Sequence, residues 1–498
     1  MPLDAPAYAA LERTFARLSA LSGASGILGW DSQTQMPDGA AAGRADQIAV
    51  LHGLAHEILT GPQVADRLAE AGAEALGPEQ RTNLAEMERA HRHAAAVPQD
   101  RVEASSRAVS RCEMTWRSAR ADSDFARLAP ELAEVLRLQR EIGAAKGAAL
   151  GLAPYDALLD GYDPGLRRAT IDPLFAELRA WLPGTIAAIR ERQAAGPHPV
   201  PTEGPFPVET QRAVGLRLME VLGFDFARGR LDISLHPFCG GATDDVRITT
   251  RYDDADYARA LMGVLHETGH ALYEQGRPTA WRRQPAGEAR GMTLHESQSL
   301  IVEMQACRSE AFFHYLAPLL REAFGRSGPA WEAQNLHRLA TRVEPGFIRV
   351  DADEATYPAH ILLRYELETA LIAGDLAVAD LPGAFNERVR ALLGLDVPND
   401  RLGCLQDIHW PGGAWGYFPT YTLGALAAAQ LFGAARAAAP DLLPGLARGD
   451  FAPLRDWLRA NVHARASLAD TDTILTEATG RPLGTAAFRA HIEARYLG

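Results

Sequence analysis

Apolar residues recur at intervals of three and four positions along most of the chain, which is the pattern of helices that bury one face. Helix-forming residues accompany this pattern throughout the N-terminal half. The helices predicted there span residues 8–21, 41–59, 78–95, 99–150, 173–193 and 210–222. The chain is therefore predicted to be mainly all-α.

A proline-rich segment, residues 196–207, interrupts the helical pattern. It is the best candidate for a boundary between a helical N-terminal part, residues 1–195, and a second part, residues 208–498. We expect it to be a surface loop within one large domain, 1–498, because the chain has no low-complexity linker and no internal repeat.

Two short segments, residues 231–236 and 246–251, alternate between apolar and polar residues, as strands do. Gly240 and Gly241 lie between them, so an antiparallel pair is predicted just before the next helix. The side chains predicted to face the core are Leu231, Ile233, Leu235, Val246 and Ile248. The edge of such a pair can bind an extended peptide as an added strand; the alternative is a small sheet that only supports the helix.

The next helix is predicted to begin near the acidic residues 253–256, which supply N-cap candidates, and to end at Gly276. Within it, His266 and His270 are four residues apart, so both imidazoles lie on one face and can bind one metal ion. Glu267 lies one position further along, where its carboxylate can take a proton from a water whose acidity the metal has raised. This spacing indicates a zinc peptidase; the alternative is a buried helix whose histidines are only hydrogen-bonded.

A catalytic zinc site normally has three protein ligands and one open position, so a third ligand is expected. The metzincin class is excluded because Tyr273 and Gly276 stand where that class has glycine and histidine. The other common solution is a glutamate from a following helix. Glu296 is the favoured residue, with Glu288 and Glu303 as the fallback candidates.

Composition limits the surroundings of this site. The 498 residues are 47% hydrophobic and carry a net charge of −13, which argues against nucleic acid as the main partner. No apolar run is long enough to span a membrane, and residues 1–6 lack the features of a leader, so a cytoplasmic protein is expected. The four cysteines show no CxxC spacing, which predicts reduced thiols rather than disulfides or a thiolate metal site.

Two later segments carry candidate substrate-binding residues. Arg349 lies among apolar residues and next to acids, where it forms either a surface salt bridge or a fork that grips a carboxylate in two hydrogen bonds. Residues 403–421 concentrate glycine and aromatic residues in a predicted loop. His409, Tyr417 or Tyr421 in this loop can donate a hydrogen bond to the oxyanion of a tetrahedral intermediate.

A series of motifs in order along the chain resembles the carboxypeptidase Taq family of thermostable metallocarboxypeptidases. The motifs are Trp30-Asp31-x-x-Thr34-x-Met36-Pro37, His236-Pro237-Phe238, Asp245-x-Arg247-x-Thr249, His266-Glu267-x-x-His270, His295-Glu296-Ser297-Gln298, Ile348-Arg349-x-x-Ala352-Asp353 and Gly403-x-x-Gln406-Asp407-x-His409-Trp410. No metal or base position departs from the family pattern.

The resemblance implies a nearly all-helical fold with a deep active-site cleft, a homodimer, and one zinc or cobalt ion per chain. It also implies release of single residues from free peptide C-termini, with broad preference except at proline. The family's metal ligands correspond to His266, His270 and Glu296, and its catalytic glutamate corresponds to Glu267.

The substrate carboxylate has two candidate partners, Arg349 and Arg247, because both lie within family motifs. His236 is a further substrate-binding candidate from such a motif. Two other functions stay open on the sequence alone: a zinc endo-oligopeptidase, and a helical protein with a structural metal. An intact Glu267 argues against the latter, since a closed structural site needs no general base.

Overall fold

The computed structural model describes residues 5–498 and consists mostly of helices. Residues 1–4, part of the N-terminal stretch in which no leader is expected, lie outside the described residues. The helices before the sheet are α1 (Pro6–Thr34), α2 (Ala41–Thr60), α3 (Pro62–Gly72), α4 (Pro78–Ala95), α5 (Gln99–Asp122), α6 (Phe125–Leu150), α7 (Pro154–Tyr162), α8 (Arg168–Ala195) and α9 (Val208–Leu222). The prediction of a mainly all-α protein is confirmed.

The single helix predicted over residues 99–150 is two helices, α5 and α6. Ser123 ends α5 with a positive φ of 58°, and the Asp124 side chain accepts a hydrogen bond from the backbone N–H of Arg127 to begin α6. Both helices bury their apolar faces in one core, so the apolar spacing continues across the break. Periodicity alone therefore could not reveal it.

Three short strands follow α9: β1 (Gly229–Ile233), β2 (Cys239–Ala242) and β3 (Asp245–Thr250). The predicted antiparallel pairing is wrong, because β1 runs parallel to β3 while β2 pairs antiparallel with the other edge of β3. The glycines expected to form a turn lie in β2 instead. The absence of a side chain on Gly26 lets α1 pack closely on this strand: a Cβ on Gly26 would lie 2.2 Å from the carbonyl oxygen of Gly241.

Burial along β1 also differs from the prediction. Leu231 is buried, but Ile233 and Leu235 are 53% and 76% exposed. The strand ends at Ile233, so the alternation does not continue to Leu235. On β3, Val246 and Ile248 are buried as predicted.

The helices after the sheet begin with α10, which carries the two histidines at four-residue spacing. They are α10 (Tyr257–Gly276), α11 (Gly291–Leu300), α12 (Glu310–Phe324), α13 (Ala333–Ala340), α14 (Tyr357–Ala373), α15 (Leu381–Leu393), α16 (Pro419–Ala438), α17 (Leu442–Leu446), α18 (Ala452–Asn461), α19 (Thr471–Thr479) and α20 (Ala486–Tyr496). A π-helical turn, Ile301–Ala306, continues α11. Such turns often occur at functional sites.

Helix α16 joins the two largest apolar cores. Its Leu423 and Leu426 belong to the core built with α5, α6, α8 and α14, whereas its Ala428 and Leu431 belong to the core built with α9, α10, α12 and α18. Helix α11 packs between α10 and α16. The residues that bear the candidate chemistry therefore sit on helices fixed from both sides.

Two further expectations concern the whole chain. All four cysteines are unpaired, as predicted for reduced thiols. No helix among the described residues is both long and apolar enough to cross a membrane.

Candidate active site

Helix α10 positions the first three residues of the site. The Asp256 side chain caps its N-terminus by accepting hydrogen bonds from two backbone N–H groups, and the helix ends at Gly276, as predicted. The four-residue spacing brings the rings of His266 and His270 to a centroid distance of 5.0 Å. Glu267 is buried beside them, with 7% of its surface exposed.

Helix α11 brings the third residue to the same point. Oε2 of Glu296 lies 3.3 Å from Nε2 of His270 and 3.9 Å from Nε2 of His266. One potential ligand atom from each of these three residues lies within 4.8 Å of the others. The sequence therefore identified the three residues that the structure brings together.

The donor set fits a divalent metal ion. Two imidazole nitrogens and one carboxylate oxygen are the ligand types of a catalytic zinc site, and a tetrahedral site with bonds of about 2.1 Å separates its ligand atoms by about 3.4 Å. The distances of 3.3 and 3.9 Å to Glu296 Oε2 bracket that separation. The residues present thus match the ion in chemistry and spacing.

The Nδ1 atoms, which point away from Glu296, have partners of different kinds. Nδ1 of His266 lies 3.0 Å from Oε2 of Glu303, whose other oxygen accepts a hydrogen bond of 2.8 Å from Arg308. Nδ1 of His270 lies 2.7 Å from Nδ1 of a third histidine, His295. Partners of this kind orient a metal-binding imidazole. Glu303, a fallback ligand in the sequence, is thus a partner of a histidine, and the other fallback, Glu288, is exposed and outside the group.

Charges around the three residues favour a cation. Burial opposes ionisation of Glu296, but His266 and His270 lower its pKa to about 2, so it is a carboxylate at neutral pH. Burial opposes the charged form of His266 too, yet Glu296 and Glu303 raise its pKa to about 10. Burial lowers the pKa of His270 to about 4 and raises that of Glu267 to about 7. The raised pKa of His266 shows that the surrounding carboxylates attract a positive charge, which a divalent ion would supply in place of the proton.

Close helix packing also fixes Glu296. A Cβ on Gly424 of α16 would lie 2.8 Å from Cβ and Cγ of Glu296. Gly424→Ala is therefore expected to lower the free energy of unfolding by roughly 1–3 kcal/mol through overpacking and to weaken metal binding by displacing the carboxylate.

A matched control lies on the same helix. A Cβ on Gly433 would meet no atom within 4 Å, so Gly433→Ala should be neutral or stabilise the protein by up to about 1 kcal/mol. Chemical unfolding of both variants, with metal titration, measures the contrast. Equal stability of the two variants would contradict the packing argument.

Arg349 lies in a buried ionic group rather than on the surface. Only 6% of the residue is exposed. Its Nε and Nη2 donate to Oδ1 of Asp407 at 2.9 and 2.8 Å, while Nε of Arg364 donates to Oδ2 at 2.7 Å. Against burial, Arg349 and Arg364 hold the pKa of Asp407 well below its usual range. Tyr357 accepts a further hydrogen bond from Nη1 of Arg349 at 3.0 Å.

The three candidate oxyanion donors lie beside this group. Nε2 of His409 is 3.0 Å from the hydroxyl of Tyr421, and the rings of Tyr417 and Tyr421 lie 5.2 Å apart, edge to face. The guanidinium carbon of Arg349 lies 5.0 Å from the centre of the Tyr421 ring. Burial and the charge of Arg349 lower the pKa of His409 to about 3, so its ring is neutral.

Arg247 and His236 belong to the sheet region. Arg247 makes two hydrogen bonds to the Asp245 carboxylate, at 2.9 and 2.5 Å, and stacks on the Trp30 ring at 4.4 Å. His236 follows β1 and is exposed. The motifs that contain Trp30 and Arg247 thus meet where α1 packs on the sheet.

A family model for the carboxypeptidase Taq (M32) metallopeptidases matches residues 10–496. The chain belongs to this family. The resemblance seen in the motifs is thereby confirmed, and the M32 enzyme described here is a metallocarboxypeptidase.

Relatives across the full length agree with this assignment. The chain is 39% identical to thermostable carboxypeptidase 1 of Thermus thermophilus over 490 residues, which cover 96% of this chain and 95% of that protein. It is 32% identical to carboxypeptidase 1 of Bacillus subtilis over 489 residues, or 96% of each.

Solved structures show the same fold. Metallocarboxypeptidase 1 of Trypanosoma cruzi superposes with a TM-score of 0.97 at 39% identity, covering 99% of this chain and 100% of that one. The M32 carboxypeptidase of Deinococcus radiodurans gives 0.93 at 34% identity, covering 99% of each chain. Membership supports a divalent metal and peptide substrates for the M32 enzyme.

Sequence reasoning did not assign roles to several residues that support the M32 site. They are Glu274, His295, Arg308, Arg364 and Asp407. One signal was available: Glu274 is four positions after His270 and therefore shares its helix face. His295 and Asp407 lie within the family motifs, whereas no local spacing marks Arg308 or Arg364.

Proposed function

We propose that this metallocarboxypeptidase releases single residues from free peptide C-termini at one divalent ion held by His266, His270 and Glu296. Glu267 serves as the general base. The observation that supports this most is the convergence of the three potential ligand atoms within 4.8 Å, with Glu267 buried beside them.

A divalent ion in such a site polarises the scissile carbonyl and makes a water molecule acidic near neutral pH. Glu267 accepts the proton of the attacking water and returns it to the leaving amine. Burial raises the pKa of Glu267 to about 7 in the absence of the ion, and the charge of a bound ion would lower it and favour the carboxylate that accepts a proton. Without the ion, Glu296 is a carboxylate and His270 a neutral imidazole, whereas His266 is protonated and must release its proton when the ion binds.

Recognition of a peptide terminus requires a group that binds a carboxylate. Arg349 and Arg364 share the single carboxylate of Asp407, which leaves one net positive charge in a buried group. Arg247 is instead balanced one to one by Asp245. A buried uncompensated charge is costly, so a substrate carboxylate would stabilise the Arg349 group more than it would stabilise Arg247. We therefore favour Arg349 as its partner.

Arg349→Met is expected to reduce kcat/KM on free-acid peptides by roughly 10–100-fold, the value of one charged hydrogen bond. Arg247→Met should cost only a few-fold. Steady-state kinetics on the same peptide, with thermal unfolding to verify the fold, separates the two. A larger loss of kcat/KM for Arg247→Met would show that Arg247, not Arg349, binds the substrate carboxylate.

The tyrosines of the same region are proposed to help in the transition state. Tyr417 or Tyr421 donates a hydrogen bond to the developing oxyanion, with neutral His409 holding the Tyr421 hydroxyl. His236 is proposed to contact bound peptide from the sheet side. The family resemblance supports zinc, with cobalt accepted, broad side-chain preference, poor cleavage at proline and a homodimer. We also propose a cytoplasmic location, as expected from the sequence.

One experiment tests the direction of cleavage. A peptide with a free terminal carboxylate and its C-terminal amide are incubated with the metal-loaded enzyme, and products are identified by mass spectrometry. We expect stepwise loss of single residues from the free acid and at least tenfold slower cleavage of the amide, since it lacks the charge that Arg349 binds. Equal cleavage of both at internal bonds would favour a zinc endo-oligopeptidase.

A further inference from the structure

The two candidate histidine ligands are supported by unequal hydrogen-bond chains. Nδ1 of His266 meets a carboxylate directly, 3.0 Å from Oε2 of Glu303. Nδ1 of His270 meets another imidazole, that of His295, at 2.7 Å. Nε2 of His295 in turn lies 2.9 Å from Oε1 of Glu274. One ligand is therefore separated from its carboxylate by a whole ring.

The positions of the protons in this longer chain follow from elementary chemistry. Two ring nitrogens at hydrogen-bond distance require one N–H and one lone pair. If Nε2 of His270 gives its lone pair to a cation, the proton of that ring lies on Nδ1 and is donated to His295. Nδ1 of His295 then accepts, so its own proton lies on Nε2 and is donated to Glu274.

The far end of the chain is also fixed. The other carboxylate oxygen of Glu274 lies 2.8 Å from Nη2 of Arg277, so the carboxylate has a partner on each side. The His295 ring is held between neighbours, 4.7 Å from the ring of His270 and 5.5 Å from that of Tyr273. The ring therefore has little freedom to turn and offer His270 a different atom.

We infer that His295 and Glu274 are positioning residues for the metal: they hold His270 as the Nδ1–H tautomer with Nε2 directed at the ion. This rests on the proposed role of His270 as a ligand. It extends that role by assigning the two imidazoles separate supports, Glu303 for His266 and the His295–Glu274 pair for His270. Loss of such a partner typically weakens metal affinity by roughly 10–100-fold.

A pair of near-isosteric substitutions isolates the hydrogen bond from the packing. In His295→Asn the side-chain oxygen can take the place of Nδ1 and still accept from His270. In His295→Gln the amide group takes the place of Nε2 and leaves His270 without an acceptor. The dissociation constant for Zn²⁺ is measured by chelator competition on the full-length protein, with thermal unfolding of the metal-free forms.

His295→Gln is expected to raise the dissociation constant by roughly 10–100-fold, whereas His295→Asn stays within about threefold of the wild type, at similar stability of the metal-free forms. A wild-type constant for His295→Gln would overturn the inference. Equal weakening in both variants, accompanied by equal loss of stability, would also overturn it, because the ring would then serve packing only.

Glu296→Gln in the same assay distinguishes this inference from the proposed function. If Glu296→Gln loses metal and His295→Gln does not, only the positioning role fails. If Glu296→Gln binds Zn²⁺ as tightly as the wild type, the ligand set and the inference built on it both fail.

Discussion

Glu267→Gln is expected to lower kcat for peptide hydrolysis by roughly 10²–10⁴-fold while metal content stays at the wild-type level. The amide cannot take a proton from the attacking water, but it keeps the size of the buried side chain. Because Glu267 is not among the three residues whose ligand atoms converge, the metal should remain bound. Turnover assays and elemental analysis of one preparation measure both quantities.

The control for this prediction is Glu220→Gln. Glu220 is exposed on α9 and lies outside the group of potential ligands, so the same change of charge there should alter neither activity nor metal content. Near wild-type turnover in a metal-replete Glu267→Gln enzyme would refute the general-base role.

Glu296→Gln, unlike Glu267→Gln, is expected to lose the metal ion, and its activity should fall because the metal is absent. It replaces the carboxylate that lies 3.3 Å from Nε2 of His270 by a neutral amide of the same shape. The loss of affinity should exceed the roughly 10–100-fold typical of an outer-shell partner, because a direct ligand is removed.

Thermal unfolding with and without Zn²⁺ gives a second measure of this loss. An ion present at 100 times its dissociation constant stabilises the folded protein by about 2.7 kcal/mol. The wild type should show that stabilisation and Glu296→Gln should show little of it at the same concentration. A variant with unchanged stoichiometry and an unchanged thermal shift would exclude Glu296 as a ligand.

Hydrophobic periodicity located several helices, such as α4, that bury one face. However, α1 continues 13 residues beyond the predicted end at residue 21, and α3 and α7 were not predicted. The prediction for residues 78–95 coincides with α4, and the predicted end of α10 at Gly276 is correct. The pattern failed where local backbone geometry decides the structure. Ser123 ends a helix through its positive φ, and glycines that suggested a turn instead form β2 beneath α1.

The three candidate metal ligands were predictable because two of them share a helix face and the third follows on the next helix. Their supports were less accessible to sequence reasoning. Asp407 binds Arg349 and Arg364 from 58 and 43 positions away, and no spacing rule joins such residues. The sequence predicted Arg349 as a fork for a free carboxylate. Only the structure shows that part of its guanidinium already binds Asp407.

Anomalous diffraction from a crystal of the Zn²⁺-loaded enzyme would locate the metal ion directly. We expect one strong peak per chain, about 2.0–2.2 Å from Nε2 of His266, Nε2 of His270 and a carboxylate oxygen of Glu296, with Glu267 beside it but not bound. A peak held by other residues, or by Glu267 in place of Glu296, would contradict it.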